Sequence, residues 1–237
     1  AKKHDIELKN PDYVQIHPTT FYTKKHEDRS FLISESVRGE GAKLLDKNMN
    51  RFVDELLPRD VLTGKIREQM KKDGTDFVWE DLRTIPRDEL VSHFPNIIEH
   101  CKEMGYDVFK EPIPVVPAQH YFMGGVKVNH HSRTSMECLY AVGETACNGV
   151  HGRNRLASNS LLESLVFAKR AAGQMAELGF VNDEIAAKKA ADSIDLADYS
   201  DEKAVEREYR KLAMEAIEGS TSAQDMNAES GVTYIQA

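Results

Sequence analysis

The residues best placed to bind an anion lie between Gly149 and Ser160, in the segment GVHGRNRLASNS. Arg155 stands just ahead of a predicted helix, so its planar set of donors comes close to the N–H groups of a helix start. Those N–H groups and the helix dipole both favour negative charge. The segment therefore predicts a site for a carboxylate or a similar acceptor, although an ordinary capped helix with a surface arginine would have the same spacing.

A glutamate and an arginine three residues apart form a second candidate site, in the segment FLISESVRGEG at 31–41. Glu35 and Arg38 share one face if this segment is helical, and such a pair could relay a proton. Arg59 stands just before another predicted helix, in LPRD. The alternative for each of these charges is a place on the surface, where an ion pair stabilises a protein little.

Two histidines lie beside strand-like segments, His17 in QIHPT and His120 in QHY. Each could donate a hydrogen bond to a substrate carboxylate, but a buried structural histidine would look the same in the sequence. The pair His130 and His131 lies in a predicted turn with no cysteine or carboxylate at ligand spacing. No metal site is predicted.

Hydrophobic periodicity and breaker residues predict a mixed α/β chain. A capping box at Ser160 to Glu163 opens a long helix that Gly179 closes, and the residues from Gly219 on are predicted to form a flexible tail. The first strands end at a break at His17 and Pro18. The predicted strands are residues 5–8, 13–16, 77–79, 113–117, 119–129 and 139–142, and the predicted helices are 60–72, 87–104, 160–178, 183–193 and 201–217.

Composition excludes several classes of protein. The 237 residues are 41% hydrophobic and carry a net charge of −8, which gives a sizeable core and no general attraction to nucleic acid. No apolar stretch is long enough for a membrane span or a signal peptide. The three cysteines form no CxxC pair, which argues against a secreted disulfide framework. We expect a cytoplasmic protein.

Six motifs in order resemble the flavoprotein family of fumarate reductase, the succinate dehydrogenase flavoprotein subunit and the L-aspartate oxidases. They span about residues 13 to 170 and read QIHPTTFY, SESVRGEGA, LLPRDV, PVVPAQHYFMGGV, LYAVGET and HGRNRLASNSLLES. The stretch NRLASNSLLE is similar to the L-aspartate oxidase branch, whereas succinate dehydrogenases tend to read NRLGANSLLD. The resemblance implies oxidation of L-aspartate to iminoaspartate, the first step of bacterial NAD synthesis. The alternatives are a fumarate reductase or succinate dehydrogenase fragment and a non-catalytic dicarboxylate-binding module.

The resemblance also implies roles for single residues. Arg59 matches the catalytic arginine, and Glu35 and Arg38 match the proton path that leads to it. The matches to the pocket for a C4 dicarboxylate are His17, Ser34, Glu35, His120 and Arg155, and the matches to the flavin-binding residues are Glu144, Asn159, Ser160 and Leu161. Ser34 stands where threonine is usual, and Arg153 stands where a small residue is usual.

The glycine motif that holds the FAD pyrophosphate in this family, GxGxxG after a first strand, does not occur in the chain. We therefore expect FAD in the full-length protein but not in this chain, which should be inactive alone and should need an N-terminal FAD-binding segment as its partner. An uncovered sheet edge would also allow a homo-oligomer.

The expected architecture is a capping domain plus the C-terminal part of a Rossmann-like FAD-binding domain, extended by helices. The expected bounds are 1–17 for the end of a flavin-domain strand segment, 18–115 for the capping domain, 116–180 for the returning flavin domain and 181–237 for the helical extension and tail.

Overall fold

The computed structural model describes residues 1–24, 30–179, 184–192 and 195–225. Its strands are β1 (Leu8–Lys9), β2 (Val14–Phe21), β3 (Lys43–Leu45), β4 (Val78–Asp81), β5 (Ile113–Phe122), β6 (Gly125–Lys127) and β7 (Ala146–Cys147). Its α-helices are α1 (Glu35–Gly39), α2 (Arg59–Asp73), α3 (Arg87–His93), α4 (Pro95–Glu103), α5 (Asn159–Leu178), α6 (Glu184–Asp192) and α7 (Glu202–Asp225). Short 3-10 turns cover Lys2–His4, Gly143–Thr145 and Leu196–Tyr199.

The chain divides into two compact units, one of residues 15–121 and the other of residues 1–14 together with those from 122 on. The unit 15–121 contains a four-stranded sheet in the order β2, β5, β4, β3. Its core is apolar and includes Ile33 and Val37 around α1, Leu62 and Ile66 of α2, and Val78 and Leu82 around β4. This packing fixes the first turns of α1 and α2 against the sheet.

Helix α2 matches its prediction almost residue for residue. It runs from Arg59, directly after Pro58, to Asp73. Gly74 then takes a left-handed conformation with φ of 66°, and its N–H bonds the carbonyl of Met70. A proline before the first turn and a glycine after the last are the usual boundaries of a helix.

Two predicted boundaries in this unit are wrong. The break at His17 and Pro18 does not occur, because β2 continues through both residues to Phe21. This strand lies at the edge of the sheet, where a proline without an N–H costs no ladder hydrogen bond. The predicted helix 87–104 is instead two helices, because Pro95 cannot continue α3 and begins α4.

The other unit contains a three-stranded sheet in the order β1, β6, β7 and the long helix α5. Gly125 allows β6 to approach its neighbour closely, since a Cβ added there would lie 2.3 Å from the carbonyl oxygen of Thr145. The predicted strand 139–142 is absent among the described residues of this unit, and Leu139 and Val142 are exposed. The predicted strand 5–8 is confined to Leu8–Lys9.

Two predictions about the helices of this unit are also wrong. The capping box does not form: α5 begins at Asn159, Ser160 lies inside its first turn, and the buried Glu163 bonds the side chain of Asn148. Helix α7 extends to Asp225, so residues 219–225 are helical and do not belong to a flexible tail. Residues 226–237 of that predicted tail lie outside the described residues. No helix in the described part of the chain is long and apolar enough to cross a membrane.

Candidate functional site

An arginine and a glutamate from two helix starts form an ion pair in the unit 15–121. Arg59 is the first residue of α2 and Glu35 the first residue of α1. The Nε of Arg59 donates to Oε2 of Glu35 at 2.7 Å, and Nη2 donates to the same oxygen. The third nitrogen, Nη1, donates to Oε1 of Gln15 at 3.3 Å. The guanidinium is thereby held at a fixed place and in a fixed orientation.

Arg38, one turn after Glu35 on α1, is buried. Its Nη1 donates to the backbone carbonyl of Glu55 at 2.8 Å, while Nε and Nη2 have no hydrogen-bond partner among the described residues. Burial lowers the pKa of Arg38, and the negative charges of Glu80 and Glu35 oppose that shift. The guanidinium stays charged at ordinary pH, because arginine starts from a pKa above 12.

The two predicted histidines meet in the same unit. The rings of His17 and His120 pack edge to face with their centroids 5.2 Å apart. Burial lowers the pKa of His17 to about 3, helped by the positive charge of Arg59. His17 is therefore a neutral imidazole, and its Nδ1 faces the backbone of Thr19, 2.9 Å from the carbonyl oxygen and 3.2 Å from the amide nitrogen.

Ser34 is the N-cap of α1. Its Oγ accepts the N–H of Ser36 at 3.3 Å, which leaves the hydroxyl hydrogen free to be donated elsewhere. The unit 15–121 thus contains the predicted residues His17, Ser34, Glu35, Arg38, Arg59 and His120.

The other predicted residues belong to the second unit. Arg155 is buried, its N–H lies 3.2 Å from the sulfur of Met123, and its Nη1 donates to the carbonyl of Leu156 at 3.4 Å. The unusual Arg153 lies over the ring of Tyr13, 5.0 Å from its centroid. Arg153 therefore makes a cation–π contact with Tyr13.

Four residues of the second unit could hold part of a flavin. The exposed Glu144 uses Oε1 to accept the N–H of Phe122 at 2.8 Å, and its other oxygen can accept from hydroxyl groups such as those of a ribose. Asn159, Ser160 and Leu161 form the first turn of α5. The N–H of Asn159 donates to the carbonyl of Leu156 at 3.3 Å. First-turn N–H groups lack partners within their own helix, so those of Ser160 and Leu161 could donate to a ring carbonyl or nitrogen. An acid and a helix start could supply an acceptor and donors to part of an FAD molecule.

Sequence reasoning missed the buried acid Glu80. It lies on β4 in the alternation Val78, Glu80, Leu82, whose other two members are core residues. Glu80 directly follows the predicted strand 77–79 and continues its alternation with Val78, which was the available signal. Gln15, which binds Arg59, was also missed, and nothing in its spacing indicates that contact.

Residues 1–161 match the family model described as an FAD binding domain. The chain belongs to this family. Two proteins with similar sequences are named L-aspartate oxidase. The protein from Clostridium perfringens is 60% identical over 73% of this chain and 39% of its own length. The chloroplastic protein from Arabidopsis thaliana is 43% identical over 75% of this chain and 29% of its own length.

Solved structures of the same kind of flavoprotein are similar in fold. A quinol fumarate reductase from E. coli superposes with a TM-score of 0.69 at 32% identity, covering 80% of this chain and 36% of that protein. This likeness confirms the mixed α/β fold and the flavoprotein resemblance predicted from the sequence. The chain spans 39% of the length of the Clostridium relative.

Proposed function

We propose that the protein containing this chain is an FAD-dependent L-aspartate oxidase that acts in the cytoplasm and supplies iminoaspartate for NAD synthesis. The observation that supports dicarboxylate chemistry is the cluster of Arg59, Glu35, His17 and His120 in one unit. The choice of L-aspartate rests on the relatives of that name, which are more similar in sequence than the fumarate reductase.

In the unit 15–121, a dicarboxylate would find one cation and several neutral donors. Arg59 supplies positive charge, while the neutral His17, together with His120 and the hydroxyl of Ser34, could donate hydrogen bonds to carboxylate oxygens. Groups fixed in advance hold a substrate in a reactive orientation, and such positioning can lower a barrier by several kcal/mol. The bond between Arg59 and Glu35 provides that fixation.

Arg59 could both stabilise negative charge and transfer a proton, and the second role is harder for a guanidinium. Its guanidinium can stabilise negative charge on the substrate, but with a pKa above about 12 it releases a proton reluctantly. Glu35, bonded to Arg59 through one oxygen, has a second oxygen that can hold a proton. We assign proton movement to the path from Arg59 through Glu35 towards Arg38.

The cofactor is FAD, which supplies a two-electron acceptor when bound. Glu144 and the first turn of α5, with Asn159, Ser160 and Leu161, would hold it from one side. The pyrophosphate contacts would come from an N-terminal segment with a glycine motif, since this chain has none. The chain without that segment should be colourless and inactive.

The test compares two substrates with the purified, FAD-loaded full-length protein. We expect peroxide to form with L-aspartate and much more slowly with succinate. Peroxide from succinate but not from L-aspartate would instead identify a succinate-oxidising enzyme, which the fold of the fumarate reductase relative also supports. Arg59→Lys keeps a charge but loses the forked contact, and Arg67→Lys on the same helix is the matched control.

A further inference from the structure

Glu55 is a buried glutamate whose carboxylate binds the edge of the four-stranded sheet. It is 2% exposed, and β3 is the last strand in the order β2, β5, β4, β3. Oε1 of Glu55 accepts the N–H of Leu44 on β3 at 3.0 Å, and the carbonyl of Leu44 accepts the N–H of Phe52 at 3.4 Å. An edge strand presents backbone groups that no neighbouring strand binds. The carboxylate of Glu55 therefore occupies part of the place of a further strand.

Arg51 holds the carboxylate of Glu55 in this place. Its Nε donates to Oε1 of Glu55 at 3.1 Å, and its Nη2 donates to Oε2 at 2.7 Å. Nζ of Lys43 lies 3.8 Å from Oε2. Both carboxylate oxygens are therefore bound, although the residue is buried. Removal of a partner from such a pair is costly, because it leaves a buried charge without compensation.

The backbone of Glu55 binds a second arginine, Arg38. The carbonyl of Glu55 accepts a hydrogen bond from Nη1 of Arg38 at 2.8 Å. Arg38 is 3% exposed, and within the part of the chain that the structure describes its Nε and Nη2 have no hydrogen-bond partner. A movement of the backbone at Glu55 would therefore displace the guanidinium of Arg38.

Glu55 also stands at the start of the short turn that leads into Arg59. The N–H of Leu57 donates to the carbonyl of Asp54 at 3.4 Å, which closes a turn around Glu55. Pro58 follows, and Arg59 is the first residue of α2. The ring of a proline fixes φ, so the connection from Glu55 to Arg59 has little conformational freedom. The position of Glu55 therefore determines where α2 begins.

We propose that Glu55 is a positioning residue for the dicarboxylate site, which fixes Arg59 and Arg38 relative to the edge of the sheet. Its carboxylate anchors the segment to β3, and its carbonyl orients Arg38. The turn that follows places Arg59 where its guanidinium bonds Glu35. This role rests on the proposed function, because it gives the two arginines a part in the oxidation. A displacement of about 1 Å in such a group can lower a rate by roughly 100-fold.

Steady-state kinetics of the FAD-loaded full-length protein test this role, with kcat expressed per bound FAD. Glu55→Met keeps the length of the side chain but accepts no strong hydrogen bond. We expect it to lower kcat by about 10- to 100-fold and to change KM by less than about threefold, because a misplaced Arg59 weakens the transition state more than substrate binding. Glu68→Gln, which removes an exposed carboxylate bound to Lys65 on α2, should match the wild type.

A second variant perturbs the same anchor from the surface. The side chain of Arg51 is 51% exposed, so Arg51→Ala leaves a site that guanidinium ions can enter from solution. We expect kcat to fall in Arg51→Ala and to recover in part with millimolar guanidinium, whereas Glu55→Met should not respond. Wild-type kcat per bound FAD in both variants would overturn the proposal, since Glu55 would then serve stability alone.

Hydrogen exchange of the full-length protein measures the anchor without any reaction. The amide of Leu44 should exchange at least about tenfold faster in Glu55→Met than in the wild type, because it loses its acceptor. Equal exchange rates would show that the anchor is absent, whatever the enzyme oxidises. If the rates differ and the protein oxidises succinate in place of L-aspartate, the proposed function is wrong, and the kcat values with succinate decide whether Glu55 positions the site.

Discussion

The buried Glu80 should make the unit 15–121 less stable as the pH rises. The native state holds this acid with a pKa of about 8, whereas the ordinary value in an unfolded chain is 4.5. Between those values the native state binds one more proton than the unfolded state, so the free energy of unfolding falls with pH, by about 1.4 kcal/mol per pH unit. Glu80→Gln removes this slope.

Other buried groups also titrate, so they restrict the pH range in which the effect of Glu80 on the free energy of unfolding can be measured. The pKa of His17 falls from 6.5 to about 3, so below pH 6.5 the unfolded state binds the extra proton and stability rises with pH. This opposes the effect of Glu80. Cys101, with its pKa raised from 9.0 to about 12, begins to destabilise only above pH 9. Between pH 6.5 and 8 the effect of Glu80 is separate from both, and the wild type should lose about 2 kcal/mol relative to Glu80→Gln.

Urea unfolding of the 237-residue chain at several pH values measures this difference. Trp79, the single tryptophan, precedes Glu80 on β4, so its fluorescence reports the unfolding of the unit that contains the acid. The exposed His93, whose pKa is raised by Glu40, contributes equally to both proteins and cancels in the comparison. Parallel stability curves for the two proteins between pH 6.5 and 8 would refute the reasoning, because Glu80 would then be ionised in the native state.

Three further predictions follow from single residues. In the full-length enzyme, Arg59→Lys should lower kcat/KM by about 100-fold or more through loss of the forked contact, with Arg67→Lys close to wild type in the same peroxide assay. His17→Gln should reduce the stability loss of the chain between pH 6.5 and 3, measured by urea unfolding; an unchanged acid limb would show that His17 does not contribute to it. Gly125→Ala should destabilise the chain by more than about 2 kcal/mol in calorimetry, because the new Cβ meets a carbonyl oxygen at 2.3 Å and φ is +132°. Gly64→Ala, in open space on α2, should instead be neutral or stabilising.

The ends of helices could be predicted from the sequence where a single residue determines them. Gly74 and Gly179 end α2 and α5, and both have positive φ. Pro18 misled the prediction, because only the sheet order reveals that β2 is an edge strand. The capping box at Ser160 failed for a similar reason, since Glu163 is bonded to Asn148 and is not available to cap a helix.

The residue contacts of the candidate site could also be predicted only in part. Spacing alone could pair Glu35 with Arg38 but could not join Glu35 to Arg59, which is 24 residues further along. The family resemblance supplied that link, and the structure places both residues at helix starts that face each other through an ion pair. Glu80 was missed because its raised pKa depends on burial, which a strand pattern does not report.

We propose that the protein containing this chain oxidises L-aspartate with the help of Arg59, and anaerobic mixing of the FAD-loaded full-length protein with substrate tests this most directly. Flavin absorbance should bleach in one turnover with L-aspartate in the wild type, and at least about 100-fold more slowly in Arg59→Lys. Bleaching by succinate alone, or at the wild-type rate in Arg59→Lys, would contradict the account.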